Sequence, residues 1–177
     1  SIFLALFSDL NRYTFYSKLK QLLVFTFSTS SSNASIPYTL DIVTRKYGVD
    51  KSFSSFSIPL GATINMDGTA IMQGCATFFL ASYYGVTLEF TDYLTIILTA
   101  TLASIGTAGI PSAGIIMLSI ILEQIGIPLE GIALLLGVDR LLDMVRTSVN
   151  VAGDTCITCI VAKSEGLMNT KIFEDIF

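Results

Sequence analysis

Residues 139–154, DRLLDMVRTSVNVAGD, leave fewer options for the whole chain than any other stretch. They lie between two apolar runs, GIALLLGV and TCITCIVA. At about 100° per residue, Asp139, Asp143, Arg146, Thr147, Asn150 and Asp154 fall within an arc of roughly 100°. The opposite side carries Leu141, Leu142, Val145, Val149 and Ala152. A soluble amphipathic helix turns such an arc to water, but this helix continues into apolar sequence at both ends. A polar stripe in membrane-grade sequence is costly unless it faces a cavity, and there it marks a substrate or ion path.

Composition agrees with that reading. Of 177 residues, 52% are hydrophobic and 14% charged, against about 25% charged in soluble domains. The mean hydropathy is +0.70. A multi-pass protein of the cell (inner or plasma) membrane is expected, with lipid as its surroundings and a bacterial source. The net charge of −4 comes without a Lys/Arg cluster, so no nucleic-acid partner is expected. The absence of His removes His-based acid–base chemistry, Ser-His-Asp triads and His-rich metal sites. Cys156 and Cys159 form a C-x-x-C, but there is no second Cys pair for zinc and no βαβ pattern for a redox fold. They read as small lipid- or core-facing residues. No enzyme and no organic cofactor is expected.

The sequence opens at Ser1, and residues 2–7 read as the end of a helix begun upstream, making this a C-terminal fragment. Residues 8–20 read as an aqueous loop leading into a helix. The apolar segment 21–27 is far shorter than the roughly 20 residues a spanning helix needs. It runs into STSSSNASIP, 28–37, and a helix resumes at YTLDIVTRKYG, closing on Arg45 and Lys46. Basic residues at both ends suit a hairpin that enters and leaves a membrane on one, cytoplasmic, side. Alone, the Ser-rich run reads more simply as a surface loop.

Residues 52–88 carry one charge, Asp67, and their middle, GATINMDGT, interrupts the apolar pattern. Broken backbone at membrane depth must be buried in protein or line a cavity. Its carbonyls and the Asp67 carboxylate are hard oxygen ligands suited to a small cation such as sodium. Residues 93–122 carry no charge, and SIGTAGIPSAG at 104–114 divides them. That segment is either one kinked span or a second re-entrant hairpin with its tip at 106–112. Pro37 precedes Asp67 by 30 residues and Pro111 precedes Asp143 by 32, a weak internal repeat. Paired interrupted segments in two halves point to a secondary transporter's binding site. The tail, KSEGLMNTKIFEDIF, reads as mobile.

Taken together, TSSSNASIP, NMDGT, SIGTAGIPSAG and DMVRTSVNVAGD make residues 12–166 resemble the dicarboxylate/amino acid:cation symporter family, the glutamate transporters. The resemblance implies an all-α membrane protein with two re-entrant helical hairpins and two interrupted transmembrane helices, the core of an elevator-type transporter. It divides the chain into 1–11, the end of an upstream helix and loop; 12–49, hairpin 1; 50–90, an unwound seventh helix; 91–127, hairpin 2; 128–165, the eighth helix; and 166–177, a tail. It implies a homotrimer in the full-length protein, formed through earlier helices absent from this sequence.

The resemblance also implies roles. Arg146 would pair with the side-chain carboxylate of glutamate or aspartate, which suits its planar fork. Asp143 would hold the α-ammonium group. Thr69, Thr147 and Asn150 would add hydrogen bonds. The tips, at Ser31 and Ser32 and at Ile110 with Gly114 nearby, would close over the α-carboxylate. Sodium ions would be the coupling ions, at three sites. One would use Gly61, Asn65, Asn150 and Asp154. A second would use Thr63, Ser104, Ile105 and Thr107, and a third Asp67 and Asn65.

Many members carry a second arginine where this chain has Ser30 or Met144, and Arg140 is the candidate to compensate. Neutral amino acid members lack the equivalent of Arg146, so its presence points to an acidic substrate. The NMDGT form and Asp154 argue against a simple dicarboxylate such as succinate. A proton-coupled symporter is the alternative, and a pore-lining channel or structural subunit is the reading from another class.

Overall fold

The computed structural model describes residues 2–175, and among these the chain is helical throughout apart from one isolated antiparallel bridge, Val49 to Met168. Helix α1 is Ile2–Phe7. Helix α2, Arg12–Thr29, starts where the Asn11 side chain accepts from the Tyr13 and Thr14 amides. The predicted aqueous loop therefore shrinks to residues 8–11. Helix α3, Ser32–Arg45, starts where Ser31 Oγ accepts from the Ala34 amide. The helix thus begins before Pro37, not after it.

The Ser-rich run is not a surface loop, because Ser30, Ser31, Ser32 and Ser35 are all buried. The hydroxyls of Ser31 and Ser35 make much of that burial tolerable. Ser35 Oγ donates to Ser31 O at 2.8 Å, and Thr29 and Ser35 hydroxyls lie 3.0 Å apart. Buried polar groups at helix ends need such partners.

Helices α4, Lys51–Ile64, and α5, Asp67–Tyr84, are one helical path broken only at Asn65 and Met66. Helix α6, Phe90–Ile105, opens with a capping box between Glu89 and Asp92. Helix α7, Ala113–Ile125, returns beside it. Thr99 Oγ1 donates to Gln124 Oε1 at 2.5 Å between them. Ile96 and Ala100 of α6 share an apolar cluster with Leu118, Ile121 and Leu122 of α7. Residues 90–125 thus form an antiparallel helix pair and not one kinked helix.

A 3-10 turn, Leu129–Gly131, leads into α8, Ile132–Ser164. The second of the two helices expected to be interrupted is continuous for 33 residues, a length of about 50 Å. It holds no proline, and its inward polar side chains find partners on other helices, so its backbone need not open.

The tail expected to be mobile is folded against the core. It turns back at Gly166 and forms α9, Thr170–Glu174, whose Phe173 is buried. The last two residues of the predicted tail lie outside the described residues.

Two apolar clusters organise the fold. One gathers Phe15, Leu19 and Leu22 of α2, Ile42 and Val43 of α3, Ile58 of α4, Val151 and Cys159 of α8, and Phe173. The other joins Leu80 of α5, the α6–α7 pair and Leu135 of α8. Helix α8 connects them, and its polar residues form the layer between. The outside is unusually apolar, with Leu136, Leu141, Val145, Ile97, Leu98 and Ile71 all exposed. Among the described residues, no helix is long and apolar enough to cross a membrane.

Leu80 is fully buried in the second cluster. Leu80→Ala is expected to lower unfolding free energy by about 2–5 kcal/mol, read as a fall in the thermal midpoint of the detergent-solubilised protein. Ile97→Ala, on the exposed face of α6, is expected to change it by less than about 0.5 kcal/mol.

Candidate functional site

All six polar positions singled out on α8 are buried: Asp139, Asp143, Arg146, Thr147, Asn150 and Asp154. Their neighbours on the opposite arc face outward. Helix α8 is therefore polar inside and apolar outside.

The break between α4 and α5 is held by that stripe. Asn150 Oδ1 accepts from the Gly68 amide at 2.8 Å, satisfying a free donor at the start of α5. Asn150 Nδ2 donates to Thr69 Oγ1 at 3.3 Å. One turn along, Asp154 Oδ1 accepts from Asn65 Nδ2 at 2.8 Å, at the end of α4. The helices approach closely here. A Cβ on Gly68 would lie 2.5 Å from Arg146 O, and one on Gly61 would lie 2.7 Å from Asp154 Oδ1.

The ionic centre lies at the middle of α8. Arg146 Nε donates to Asp143 Oδ1 at 2.9 Å, and Nη2 reaches the same oxygen. Asp139 Oδ1 stands 3.9 Å from Nη2 without a hydrogen bond. Asp143 Oδ2 accepts from the Ser112 amide at 2.8 Å. Arg146 Nη1 is buried with no partner, and the Cα of Gly114 faces the guanidinium so closely that a Cβ there would lie 3.0 Å from Cζ.

Two tips cover this centre. Ser30, between α2 and α3, and Ser112, before α7, both adopt positive φ, at 51° and 61°. Left-handed backbone at a non-glycine residue costs energy and concentrates at functional sites. The tips touch: Ser31 Oγ and the Asn33 amide both donate to Gly109 O, at 2.8 and 3.1 Å. Between them and α8 is a cavity of about 10 Å³, room for about one water.

Ser32, Thr69, Ile110, Gly114, Asp143, Arg146, Thr147 and Asn150 of the predicted substrate group line that cavity. Ser31 does not; it joins the two tips instead. Thr107, predicted as a sodium ligand, lines this same cavity.

The predicted ion groups are only partly brought together. Gly61, Asn65 and Asp154 adjoin, while the Asn150 side chain turns to α5. A Cβ on Gly153 would meet both Asn65 Nδ2, at 2.7 Å, and Asp67 Oδ2, at 3.2 Å, so those side chains share one place. Asp67 is exposed. Thr63, Ser104 and Thr107 hydroxyls each donate to a carbonyl of their own segment, Pro59, Thr101 and Ala103. Ile105 is exposed, as is Arg140, which lies off the buried face.

Sequence reasoning missed Gln73. It is fully buried, its Nε2 donates to Gly114 O at 3.1 Å, and its Oε1 has no partner. Its signal was available: one amide in the apolar run AIMQGCATFFLA. Ser30, whose buried hydroxyl has no partner, and Met66 also line the cavity.

Residues 1–164 match the pattern of the sodium:dicarboxylate symporter family, and the chain belongs to it. It is a family of transporters, not of enzymes. The chain is 45% identical over 145 residues to human excitatory amino acid transporter 2, covering 82% of this chain and 25% of that protein. It is 44% identical over 144 residues to an excitatory amino acid transporter of Caenorhabditis elegans, covering 81% and 29%. It is 45% identical over 149 residues to the mouse neutral amino acid transporter B(0), covering 84% and 27%. The chain thus spans under a third of the length of these relatives. They are animal proteins and give no support to the bacterial source expected from sequence.

Arg146→Met leaves Asp143 and Asp139 buried without a cation. It is expected to destabilise the protein by about 3–5 kcal/mol. Adding Asp143→Leu is expected to restore part of that loss, in a double-mutant cycle read by thermal unfolding.

Proposed function

We propose that this chain is the substrate-binding core of a membrane symporter that moves glutamate or aspartate together with sodium. One observation carries the reading. Arg146 presents a buried, unpaired Nη1 beside a small polar cavity, and Asp143 stands at its other edge. A planar guanidinium matches a carboxylate, and a neighbouring carboxylate matches an ammonium group. An acidic amino acid offers both. Identity does not choose between acidic and neutral substrates, since relatives named for each are about equally similar; Arg146 favours the acidic one.

In this reading Asp143 takes the α-ammonium, and Thr69, Thr147 and Asn150 orient the substrate. Backbone at Ser32 and Ile110, with Gly114 nearby, meets the α-carboxylate. A space of about 10 Å³ is too small for an amino acid. Binding therefore requires a tip to move and the Asp143–Arg146 pair to be exchanged for two contacts with the ligand. The Ser112 amide would leave Asp143 Oδ2 in the same step.

The charge balance supports cation coupling. Asp139, Asp143 and Arg146 sum to −1 in a buried site, and an acidic amino acid brings another −1. Concentrating like charge away from water is expensive. A monovalent cation offsets it. Asp154, Asn65 and Gly61 are the first candidates to hold one, with Asp67 and Asn65 forming a second group. The group of Thr63, Ser104, Ile105 and Thr107 is the weakest, since its hydroxyls are engaged within their own segments.

The apolar exterior suits lipid or the helices of a larger protein. The re-entrant placement of α2–α3 and α6–α7, elevator movement and trimeric assembly belong to this proposal.

The test is radiolabelled aspartate uptake into proteoliposomes by the protein of the full reading frame, with and without an inward sodium gradient. Uptake should need the gradient. Arg146→Ala should weaken aspartate binding by at least about 30-fold, as loss of a buried charge partner costs about 2 kcal/mol or more, while binding of a neutral amino acid is kept or gained. Unchanged aspartate uptake by that variant would overturn the assignment.

A further inference from the structure

The family match ends at residue 164, yet the ten residues after Glu165 are folded onto the core. The chain reverses at Gly166, and the Leu167 amide donates to Ala162 O at 2.8 Å. It then pairs with the connection between α3 and α4. The Asp50 amide donates to Leu167 O and the Asn169 amide to Gly48 O, each at 2.8 Å, around the Val49–Met168 bridge. Asn169 Oδ1 accepts from the Lys171 amide and starts α9.

Helix α9 inserts Phe173 into the apolar cluster at the base of α2–α3. Its ring lies 6.1 Å from that of Tyr47, itself fully buried with its hydroxyl donating to Phe15 O at 2.9 Å. Lys18 closes the joint. It is 9% exposed, and its ammonium donates to Lys46 O at 2.6 Å and Ile172 O at 2.7 Å, with Nζ 5.7 Å from the Phe173 ring centre. Lys46 caps α3, so this one cation joins α2, the end of α3 and α9. Without the tail, the Lys18 ammonium loses one of its two carbonyl partners and the aromatic ring beside it. The α6–α7 pair has no such fastening among the described residues. Its base carries Phe90 at 76% exposure, and a Cβ on Gly126 would meet nothing within 4 Å.

We propose that residues 167–175 are a strap that fastens the base of α2–α3 to the C-terminal end of α8, with Lys18 as its positioning residue and Phe173 as its plug. The strap makes α2, α3 and α8 one mechanical unit, whichever substrate the site above them takes. The sequence gives little sign of it, since Lys18 and Phe173 are 155 residues apart.

The test uses the full reading frame with Cys75, Cys156 and Cys159 replaced by Ala, carrying Val49→Cys and Met168→Cys together. Residues facing each other in an antiparallel bridge have Cα atoms about 4.5–5.5 Å apart, within disulfide reach. Mild oxidation should cross-link most molecules of the double variant, while Val49→Cys or Met168→Cys alone stays uncross-linked. Adding Phe173→Ala or Lys18→Met should slow cross-linking at least about fivefold, because the strap is open more of the time. Lys18→Arg, which keeps a cationic donor, should retain most of the rate.

A second measurement needs no variant. Trypsin should cut after Lys171 at least about tenfold more slowly in the folded protein than in a synthetic peptide of residues 165–177, since cleavage follows the open population. A protein cut as fast as the peptide, or a Val49→Cys/Met168→Cys variant that does not cross-link, overturns the proposal. So does a cross-linking rate indifferent to both Phe173→Ala and Lys18→Met.

Discussion

The break at Asn65 and Met66 is the constraint on which the rest of the structure depends. An interrupted helix frees amides on one side and carbonyls on the other, and an apolar surrounding offers them nothing. Helix α8 supplies part of the answer through Asn150 at the Gly68 amide and Asp154 at the Asn65 side chain. To do so, its polar arc must face inward at close range. That requirement explains the absence of side chains at Gly61 and Gly68, where Asp154 and the Arg146 carbonyl occupy the space. Once the polar arc is inside, the apolar arc is necessarily outside.

The same inward arc carries charge, and charge is where stability and function part company. Two carboxylates and one guanidinium sit in a layer between two apolar clusters. Replacing buried ion pairs with well-packed apolar residues is often neutral or stabilising. A scaffold alone therefore gains little from Asp139, Asp143 and Arg146. Under the function proposed above, the unpartnered Nη1 and the small cavity beside it belong to a group that exchanges its internal partner for a ligand. The two left-handed serines at the tips point the same way, as local strain held where chain segments meet over the site.

Much of this was legible before any coordinates. The 3.6-residue period alone placed six residues of α8 on one face, and all six are buried. The motif GATINMDGT marked the break to within a residue or two. The readings that failed did so for identifiable reasons. Ser30 to Ser35 look hydrophilic, but short hydroxyls can satisfy helix ends locally, so burial did not require solvent. The second interruption was expected from the family resemblance, whereas α8 keeps its backbone intact by using side chains. Gln73 was passed over because an amide among apolar residues gives no clue to its partner, Gly114 O, 41 positions away.

The sequence by itself determined that this chain is helical, that the polar arc of residues 139–154 faces inward, and that three carboxylates and Arg146 share that arc. Periodicity and composition suffice for that, because they act within one element. The tertiary structure alone decided which long-range partners meet. It put Gly109 against Ser31 and Asn33, closed the cavity to about 10 Å³, and turned the tail into a fastening through Lys18 and Phe173. Those contacts depend on how whole helices pack, and no local pattern encodes the distance between residues that far apart in the chain.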